Sequence, residues 1–569
     1  MNKNDIVRLT IEDMSLEGAG IGHTEGVAIF VKDAVVGDEV EAIITKAKKN
    51  YCFAAVKTVI KPSEYRVDPP CPIARQCGGC QIMQVDYGKQ LEIKQGIVEN
   101  NLVKIGGFDR DYIRGIMEPI IGMEDPYRYR NKAQIPIGYD REGRLVAGFY
   151  GARSHRIVPT QDCCICSEKS MGIARAVIEY MEQIGLRAYD EEAGTGLIRH
   201  VLVREARATG ETMVCIVVNG NSLPETGLLE EKIHRADSQV TSIVLNENTR
   251  RDNVIMGSRT HAIWGKDTIR DTIELSDGSR VSFDISANSF YQVNHDQMER
   301  LYSRAIEYAG LTGKEAVWDL YCGIGTISLS MAQKAGVVYG IEVVPQAIEN
   351  AKANASLNGL ENTRFFCGEA EMVLPEFYSG KAAELLTHEG YPADNLTDMT
   401  HPDVICVDPP RKGCDEKCLN TMLEMAPNRI VYVSCDSATL ARDLKYLVAG
   451  GYRLERVTVV DQFGHTMHTE TVALLSTEKS DRKFEVEIKT DELDLTRAEA
   501  KATYREIQEF CMNKYGLQVS RLYISQVKRK CGLDVSDCNN PGEPGHRVPN
   551  CPPEKEEAIM DALKYYKMI

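Results

Sequence analysis

The chain has 569 residues, a formal net charge of −16, and 43% hydrophobic and 26% charged residues. This composition is typical of globular protein, and the length exceeds that of a single hydrophobic core, so three or four domains are expected. No apolar run is long enough to span a membrane and no signal-peptide core is recognisable, which predicts a cytoplasmic protein without membrane attachment. The acidic balance argues against a uniformly basic nucleic-acid binder but allows local basic patches.

Residues 1–62 contain several short apolar runs separated by glycine-rich turns, the pattern of a small β-barrel. The predicted strands are Val7–Ile11, Val27–Val31, Glu39–Thr45 and Tyr51–Ile60. The turn at 46–51 combines three lysines with Tyr51. A nucleic-acid surface and a solvated hairpin tip explain this turn equally well.

Residues 63–285 begin with a proline-rich linker and then mix helix and strand patterns, which predicts a central α+β domain. The segment 126–160 carries seven cations, and five aromatic residues are interleaved with them. Such a pattern can neutralise phosphates and stack bases. We therefore favour RNA contact here over an exposed sheet with mixed packing.

Residues 286–477 alternate apolar strands with helices, the rhythm of a doubly wound α/β domain. The predicted strands are Ala316–Leu320, Val337–Ile341, Val404–Val407, Ile430–Val433 and Thr471–Leu475, and 378–400 is interpreted as a surface insertion. Residues 478–569 form a helical C-terminal domain of unknown role. Its helices are predicted after a capping box at Thr496 and Glu499, from Ser520, and near Pro553.

The segment Asp319–Thr326 follows an apolar strand and opens a helix, and its glycines allow close approach of a ligand. Glu342 ends the next strand, where a carboxylate can accept hydrogen bonds from ribose hydroxyls. Position 328 is Ser, so the third glycine of a dinucleotide motif is missing. S-adenosylmethionine has no phosphate to cradle, so the sequence predicts a Rossmann-like S-adenosylmethionine methyltransferase domain rather than a nicotinamide or flavin enzyme.

Three further segments follow strands that end at the expected active edge of this sheet: Asp408–Gly413, Val431–Asp436 and His465–Glu470. C5 of uracil is too weak a nucleophile to attack a methyl sulfonium directly. A thiolate that adds to C6 makes C5 electron-rich, and a base must later remove the C5 proton. Cys435 suits the nucleophile, with a depressed pKa expected, and Glu470 suits the base. Asp408 suits a contact with the pyrimidine or the methyl donor.

The chain resembles the RumA-type RNA uracil-5-methyltransferases over roughly residues 5–476. The resemblance is carried by Ser289–Asn294, Asp319–Gly325, Asp408–Gly413, Ser434–Cys435 with Ala438–Asp443, and His468–Glu470. It implies that Gln292, Tyr321, Glu342 and Asp408 line the cofactor site, that Cys435 is the nucleophile and that Glu470 is the base. The N-terminal barrel is similar to a TRAM domain, an RNA-binding module. One departure is Asp436-Ser437, where the family commonly has Asn-Pro, which puts the rigidity of that loop in question.

Eighteen cysteines are too many to be incidental, and in a reducing compartment they are poor candidates for disulfides. Cys71, Cys77 and Cys80 are tightly spaced, and Cys163, Cys164 and Cys166 offer further thiolates. Four thiolates suit either zinc or an iron–sulfur cluster, and the spacing does not separate the two. The family resemblance implies a [4Fe–4S] cluster held by Cys71, Cys77, Cys80 and Cys163.

The leading hypothesis is methylation of uridine C5 in structured RNA, most specifically 23S ribosomal RNA, with no obligate protein partner. Transfer RNA is the alternative substrate. Methylation of an exocyclic amine would also suit Asp408-Pro-Pro but needs no cysteine. A non-catalytic iron–sulfur RNA-binding protein is the alternative from a different class.

Overall fold

The fold is taken from a computed structural model that describes residues 1–377, 382–391, 399–477, 504–515, 517, 519–531 and 551–565. The chain divides into two compact units, Met1–Lys479 and Ser480–Ile569. The capping box predicted at Thr496 and Glu499 lies outside the described residues. The domain boundaries predicted inside the first unit stay predictions.

The N-terminal segment forms a six-stranded sheet. Its strands are Ile6–Thr10, Asp13–Met14, Gly20–Thr24, Val27–Lys32, Glu39–Ala47 and Tyr51–Lys61. Buried Val40, Ala42 and Ile44 alternate with more exposed residues, as expected for a strand with one face on a core. The four predicted strands are all present. The strand Gly20–Thr24 was not predicted because its glycines resemble a turn; a Cβ at Gly22 would lie 2.3 Å from the Thr10 carbonyl oxygen.

The middle of the first unit is a seven-stranded sheet with a separate two-stranded hairpin. The sheet strands are Lys132–Tyr139, Leu145–Tyr150, Ile157–Pro159, Ile198–Glu205, Thr212–Val218, Val240–Glu247 and Arg259–Gly265, and the hairpin is Thr268–Glu274 with Arg280–Ser286. In chain order, the helices Tyr87–Lys104 and Arg110–Ile116 precede the first strand of this sheet. The helices Lys169–Ile184 and Thr226–Ala236 come between its strands. All seven residues of Thr212–Val218 are buried, which marks an interior strand.

The C-terminal part of this unit is a second seven-stranded sheet. In spatial order its strands are Thr363–Cys367, Val337–Glu342, Ala316–Leu320, Val404–Val407, Arg429–Ser434, Glu470–Thr477 and Tyr452–Val460. The first five pair in parallel, whereas Glu470–Thr477 is antiparallel to both of its neighbours. This arrangement confirms the predicted α/β fold. It brings the start of one strand, Glu470, to the edge where the parallel strands end.

Helices cover both faces of this sheet: His295–Ala309, Thr326–Ala332, Pro345–Leu357, Ala370–Glu376, Ala382–His388, Glu416–Met425 and Ser437–Ala449. The interpretation of 378–400 as a surface insertion stays a prediction, and two residues of its described part pack into the core. Leu386 and Met399 are buried, and the Met399 carbonyl oxygen accepts a 2.8 Å hydrogen bond from Trp318 Nε1. Two sheet strands, Thr363–Cys367 and Tyr452–Val460, were not predicted, because both are edge strands and the second carries three charged residues.

The second unit contains the helices Tyr504–Tyr515, Arg521–Lys530 and Pro553–Tyr565. Their small core includes Ile507, Ile524 and Ile559. The predicted helix starts are confirmed at Ser520, whose hydroxyl caps the Tyr523 amide, and at Pro553. The packing is that of a small helical module.

Candidate active site

The register of two antiparallel strands places Cys435 beside Glu470. Ser434, the last residue of its strand, pairs with Thr471. Cys435 follows Ser434 and Glu470 precedes Thr471, so Cys435 and Glu470 are neighbours. Asp408 follows the adjacent parallel strand, in which Val407 pairs with Tyr432. The three segments that the sequence predicted to converge therefore meet at one edge of the sheet.

Burial and mutual repulsion raise the pKa values of the carboxyl groups at this edge. Glu470 is only 4% exposed. Its burial raises the pKa well above the ordinary value, the neighbouring Asp408 adds to the rise, and Arg411 opposes it. Burial also raises the pKa of Asp408 to about 6. The two carboxyl groups thus resist carrying charge together, and the Glu470 carboxylate is a stronger proton acceptor than that of a solvated glutamate.

The expected depression of the Cys435 pKa is wrong. Burial raises the pKa of this thiol to about 11, and the Glu470 and Asp408 carboxylates add to the rise while Arg411 opposes it. Arg411 and a backbone hydrogen bond lower the pKa of Cys435 but do not outweigh these effects. In the unliganded protein this cysteine is therefore mainly a thiol.

The residues that replace the family's Asn-Pro are ordered by their own hydrogen bonds. The Asp436 carboxylate caps the helix Ser437–Ala449 by accepting hydrogen bonds from the amides of Ala438 at 2.9 Å and Thr439 at 3.1 Å. The Ser437 hydroxyl accepts a 2.8 Å hydrogen bond from Asn101 Nδ2. The loop after Cys435 is held by a helix cap instead of a proline.

The predicted cofactor loop is a tight turn held against Glu342. Tyr321, Gly323 and Gly325 all have positive φ, at 68°, 56° and 86°. Glu342 accepts hydrogen bonds from the amides of Gly323 at 3.2 Å and Val344 at 2.9 Å. These bonds fix the carboxylate beside the loop.

Asp319 belongs to this loop's motif, but it was not among the predicted site residues. It is 1% exposed, and one carboxylate oxygen accepts a hydrogen bond from the Ser328 hydroxyl. The other oxygen, Oδ1, has no hydrogen-bond partner among the described residues. Burial raises the pKa of this carboxyl to about 7. A buried acceptor without a partner fits a site that a polar ligand completes.

Tyr302 is a second residue that the sequence did not reveal. Its hydroxyl lies 3.0 Å from Thr326 Oγ1, at the start of the helix after the cofactor loop. Burial raises its pKa, and the carboxylates of Asp408, Glu470 and Asp319 all contribute, so this tyrosine lies near all three. The apolar face of the helix His295–Ala309 was the only available signal, and it indicates burial, not function.

The side chains of two other predicted cofactor residues contact other parts of the protein. Gln292 is buried, and its Oε1 accepts a 3.3 Å hydrogen bond from Gln462 Nε2. Tyr321 is half-buried against a core cluster, with its hydroxyl beside the Cys418 thiol. The backbone of Tyr321 lies in the cofactor loop while its ring packs elsewhere.

The predicted metal-binding cysteines share one neighbourhood. Burial raises the pKa of Cys80, and Cys163, Cys77 and Cys71 raise it further. The Cys163 thiol pairs with Cys166, and this contact lowers its pKa to about 6. In the part of the chain that the structure describes, no group of three or more His, Cys, Asp or Glu side chains is arranged to hold a metal ion. The donor types suit a cluster, whereas their present arrangement does not form one.

The N-terminal barrel presents an aromatic face. Phe30, Tyr51 and Phe53 contact one another with ring centroids 5.5 to 5.8 Å apart. Tyr51 is 38% exposed, and Lys46, Lys48 and Lys49 are exposed beside it. This set suits stacking on bases with phosphate contacts nearby.

The basic stretch 126–160 offers fewer free cations than its composition suggests. Arg128 forms a bidentate pair with Asp162, and Arg144 pairs with Asp140. Arg153 pairs with Glu17. Lys132 is half-buried, and its partial burial together with Arg204 and Arg130 lowers its pKa to about 7. RNA contact by this stretch stays a prediction.

None of the described helices has the length and apolarity needed to cross a membrane.

Comparison with known protein families gives two matches. Residues 229–478 match the tRNA (Uracil-5-)-methyltransferase family, and residues 2–57 match the TRAM domain. The first match ends where the helical C-terminal unit begins, in agreement with a tail outside the family core.

Similar proteins cover most of the chain. One from Halalkalibacterium halodurans, described as an uncharacterized RNA methyltransferase, is 48% identical over 475 residues, which are 84% of this chain and 98% of that protein. One with the same description from Listeria innocua is 43% identical over 477 residues, with the same coverage. The crystal structure of Pyrococcus abyssi tRNA (uracil-54, C5)-methyltransferase in complex with S-adenosyl-L-homocysteine has a TM-score of 0.62 and 25% identity, and covers 82% of this chain and 100% of that one.

Proposed function

The chain belongs to the S-adenosylmethionine-dependent RNA uracil-5-methyltransferase family, and from that premise we propose that it methylates uridine C5 through a covalent adduct between Cys435 and C6. The observation that carries this proposal is the strand register that makes Cys435 and Glu470 neighbours, with Asp408 beside them. An amine methyltransferase needs no thiol and distal carboxylate at this edge. The comparisons do not favour the non-catalytic alternative.

The chemistry requires that both groups act in sequence. The Cys435 sulfur forms a bond to C6, and the C5–C6 electron pair moves into an enolate, so that C5 can displace S-adenosylhomocysteine from the methyl group. Glu470 then takes the C5 proton, and the C6–sulfur bond breaks to restore the ring and the thiolate. S-adenosylmethionine supplies the methyl sulfonium when bound, and Gln292, Tyr321, Glu342 and Asp408 are the residues proposed to hold it. Asp319 is added to this set because of its unpartnered buried oxygen.

The raised pKa of Glu470 fits its proposed role, because it makes the carboxylate a stronger proton acceptor than that of a solvated glutamate. The raised pKa of Cys435 opposes formation of the attacking thiolate. The Cys435 thiol must lose its proton before attack, and Arg411 is the cation near it that favours the thiolate.

The covalent proposal is tested with two substitutions. Cys435→Ala is expected to abolish methyl transfer, and Cys215→Ala, which removes a buried thiol from the central sheet, is the matched control. Glu470→Gln is expected to accumulate a protein–RNA adduct that migrates slowly on denaturing gels. Full activity of Cys435→Ala would contradict the mechanism.

We propose 23S ribosomal RNA as the substrate, on the strength of the RumA-type motifs. The similarity to a solved tRNA uracil-54 methyltransferase supports transfer RNA as the second candidate. Mass spectrometry of 5-methyluridine in both RNA classes from a deletion strain decides between them. Loss from transfer RNA alone would overturn the first choice. A cytoplasmic location is proposed with either substrate.

We propose the aromatic face of the barrel as part of the RNA interface. Its support is the contact of three aromatic rings beside exposed lysines and the match to a TRAM domain. Tyr51→Ala is expected to weaken RNA binding by about 1–3 kcal/mol through loss of base stacking. Ile60→Ala, which removes an exposed apolar side chain distant from the three rings in the sequence, serves as its control in a filter-binding titration.

We propose that Cys71, Cys77, Cys80 and Cys163 hold a [4Fe–4S] cluster. The support is the shared neighbourhood of these thiols and the family resemblance. Cys166 competes for the fourth position, because it pairs with Cys163. Iron and sulfide analysis of anaerobically purified protein tests the proposal, and zinc without sulfide would contradict it.

A further inference from the structure

The segment 461–469 connects the strand Tyr452–Val460 to Glu470 and is largely buried although it has no regular structure. A buried loop must satisfy its backbone polar groups within the protein. Side chains from distant parts of the chain do so here. His465 lies at the centre of the loop, with a φ of 64° that favours glycine.

Gln90, on the helix Tyr87–Lys104, binds His465 at both ends of its amide. Its Oε1 accepts a 3.1 Å hydrogen bond from the His465 backbone amide, and its Nε2 lies 3.1 Å from His465 Nδ1. The same Nε2 donates to the Val85 carbonyl oxygen at 2.8 Å. Gln90 is fully buried, so these bonds have no competition from water.

Gln81, next to the cysteine Cys80, holds the loop from the other side. The amides of Gln81 and Ile82 donate to the His465 carbonyl oxygen at 3.0 and 3.1 Å. Gln81 Oε1 accepts a 3.3 Å hydrogen bond from the Met467 amide. Met467 packs with Ile82, Val85 and the barrel residues Met14 and Val35. The loop is therefore tied to the barrel and to the cysteine segment three residues before Glu470.

The first half of the loop is anchored separately. Lys94 Nζ lies 2.5 Å from Asp461 Oδ1, and the Tyr87 hydroxyl donates to Asp461 Oδ2 at 2.8 Å. Gln462 reaches Gln292, the proposed cofactor residue. The two halves thus have different anchors: Gln462 contacts Gln292, the proposed cofactor residue, and His465 and Met467, held by Gln90 and Gln81, precede Glu470 by five and three residues in the chain.

We propose that Gln81 and Gln90 are positioning residues that act through His465 and Met467 to hold Glu470 where it can take the C5 proton. The inference rests on the proposed function, since it assigns Glu470 as the base. Loosening the second half of the loop slows proton removal while leaving the addition of Cys435 and the methyl transfer in place. The covalent adduct then accumulates, which a general loss of folding or of RNA affinity does not cause.

The test compares Gln90→Met and Gln81→Ala with Gln95→Met in the intact protein. Gln95 lies on the same helix as Gln90 and bonds to the Glu118–Ile120 segment instead of the loop. Gln81→Ala serves because it keeps the backbone bonds and affects a less buried position, should Gln90→Met fail to fold. The substrate is an unmodified transcript of 23S ribosomal RNA or of transfer RNA, depending on which of the two the wild-type protein methylates.

We expect kcat to fall about 10-fold to 100-fold in Gln90→Met and less in Gln81→Ala, because small displacements of a catalytic group have effects of this size. KM for S-adenosylmethionine and RNA is expected to stay within about twofold, and the fraction of protein–RNA adduct is expected to rise as in Glu470→Gln. Suppose that Glu470→Gln still traps the protein–RNA adduct. The inference is then overturned by a fall in kcat without adduct in Gln90→Met or Gln81→Ala, or by an equal fall in kcat in Gln95→Met. If Glu470→Gln traps no adduct, the proposed base is wrong and the inference falls with it.

Discussion

Two buried charged regions lie along one edge of the second sheet, and they are built in opposite ways. At Lys94 and Asp461 each charge has an ionic partner, and the tyrosine hydroxyl of Tyr87 and the Phe463 carbonyl oxygen complete the set. At Glu470 and Asp408 two carboxyl groups face each other with only Arg411 nearby. The paired region holds a loop in place. The region with excess acid has raised carboxyl pKa values, which are typical of groups that transfer protons in catalysis.

The largest effect is expected from breaking the paired region. Lys94→Met leaves Asp461 buried without a cation, which should lower the free energy of unfolding by about 4 kcal/mol. Urea denaturation measures this loss. The double variant Lys94→Met/Asp461→Asn should recover part of it, because no uncompensated charge remains. A single variant as stable as the wild type would show that the pair does not stabilise the fold.

A smaller effect is expected at Asp319, a buried carboxyl group whose pKa the Asp408 carboxylate also raises. The Asp319 pKa is about 7 in the folded protein, above the ordinary 3.8. Between these values the unfolded chain loses its proton while the folded chain keeps it, so the contribution to stability is full below pH 4 and is lost as pH rises to 7. Asp319→Asn should therefore gain on the order of 3 kcal/mol relative to the wild type between pH 4 and pH 7.

Denaturation of both proteins at several pH values measures this difference. Asp277→Asn is its control, because Asp277 lies near the surface with a pKa held low by Lys334 and Ser279 and should give the opposite trend. A pH-independent difference between Asp319→Asn and the wild type would contradict the prediction.

The smallest effect concerns the thiol of Cys435. Its pKa of about 11 predicts that alkylation by iodoacetamide is slow at neutral pH and rises about tenfold per pH unit. Glu470→Gln should speed the reaction, because one of the charges opposing the thiolate is removed. Peptide mapping by mass spectrometry separates Cys435 from the other cysteines. A rate that does not change with pH between 7 and 10 would indicate a thiolate already present.

The site was more predictable from sequence than its electrostatics. Cys435, Glu470 and Asp408 could be grouped because each adjoins an apolar strand, and strand ends meet at one edge of such a sheet. The Cys435 pKa was predicted in the wrong direction, because the prediction considered the needs of the reaction and not the two carboxylates beside the thiol. Asp319 and Tyr302 carry no sequence signal that separates them from ordinary core residues.

The fold shows the same division. A strand with a continuous apolar run, such as Val404–Val407, was located to the residue, because burial on both faces leaves an unbroken signal. The edge strand Tyr452–Val460 was missed, because its charged residues alternate with apolar ones over a half-exposed face. The hydrogen bonds of Gln81 and Gln90 to the loop could not be predicted from the sequence, because Gln90 bonds to a residue 375 positions away in the chain.

The sequence by itself determined the five inner strands of the sheet, the edge at which the parallel ones end and the groups proposed to act there, because these depend on local periodicity and on chain order. The tertiary structure alone decided which charges face one another, which are paired, and which distant side chains hold the loop before Glu470. Those properties depend on burial and on contacts between remote segments, and hydrogen bonding and pKa respond to such surroundings and not to position in the chain.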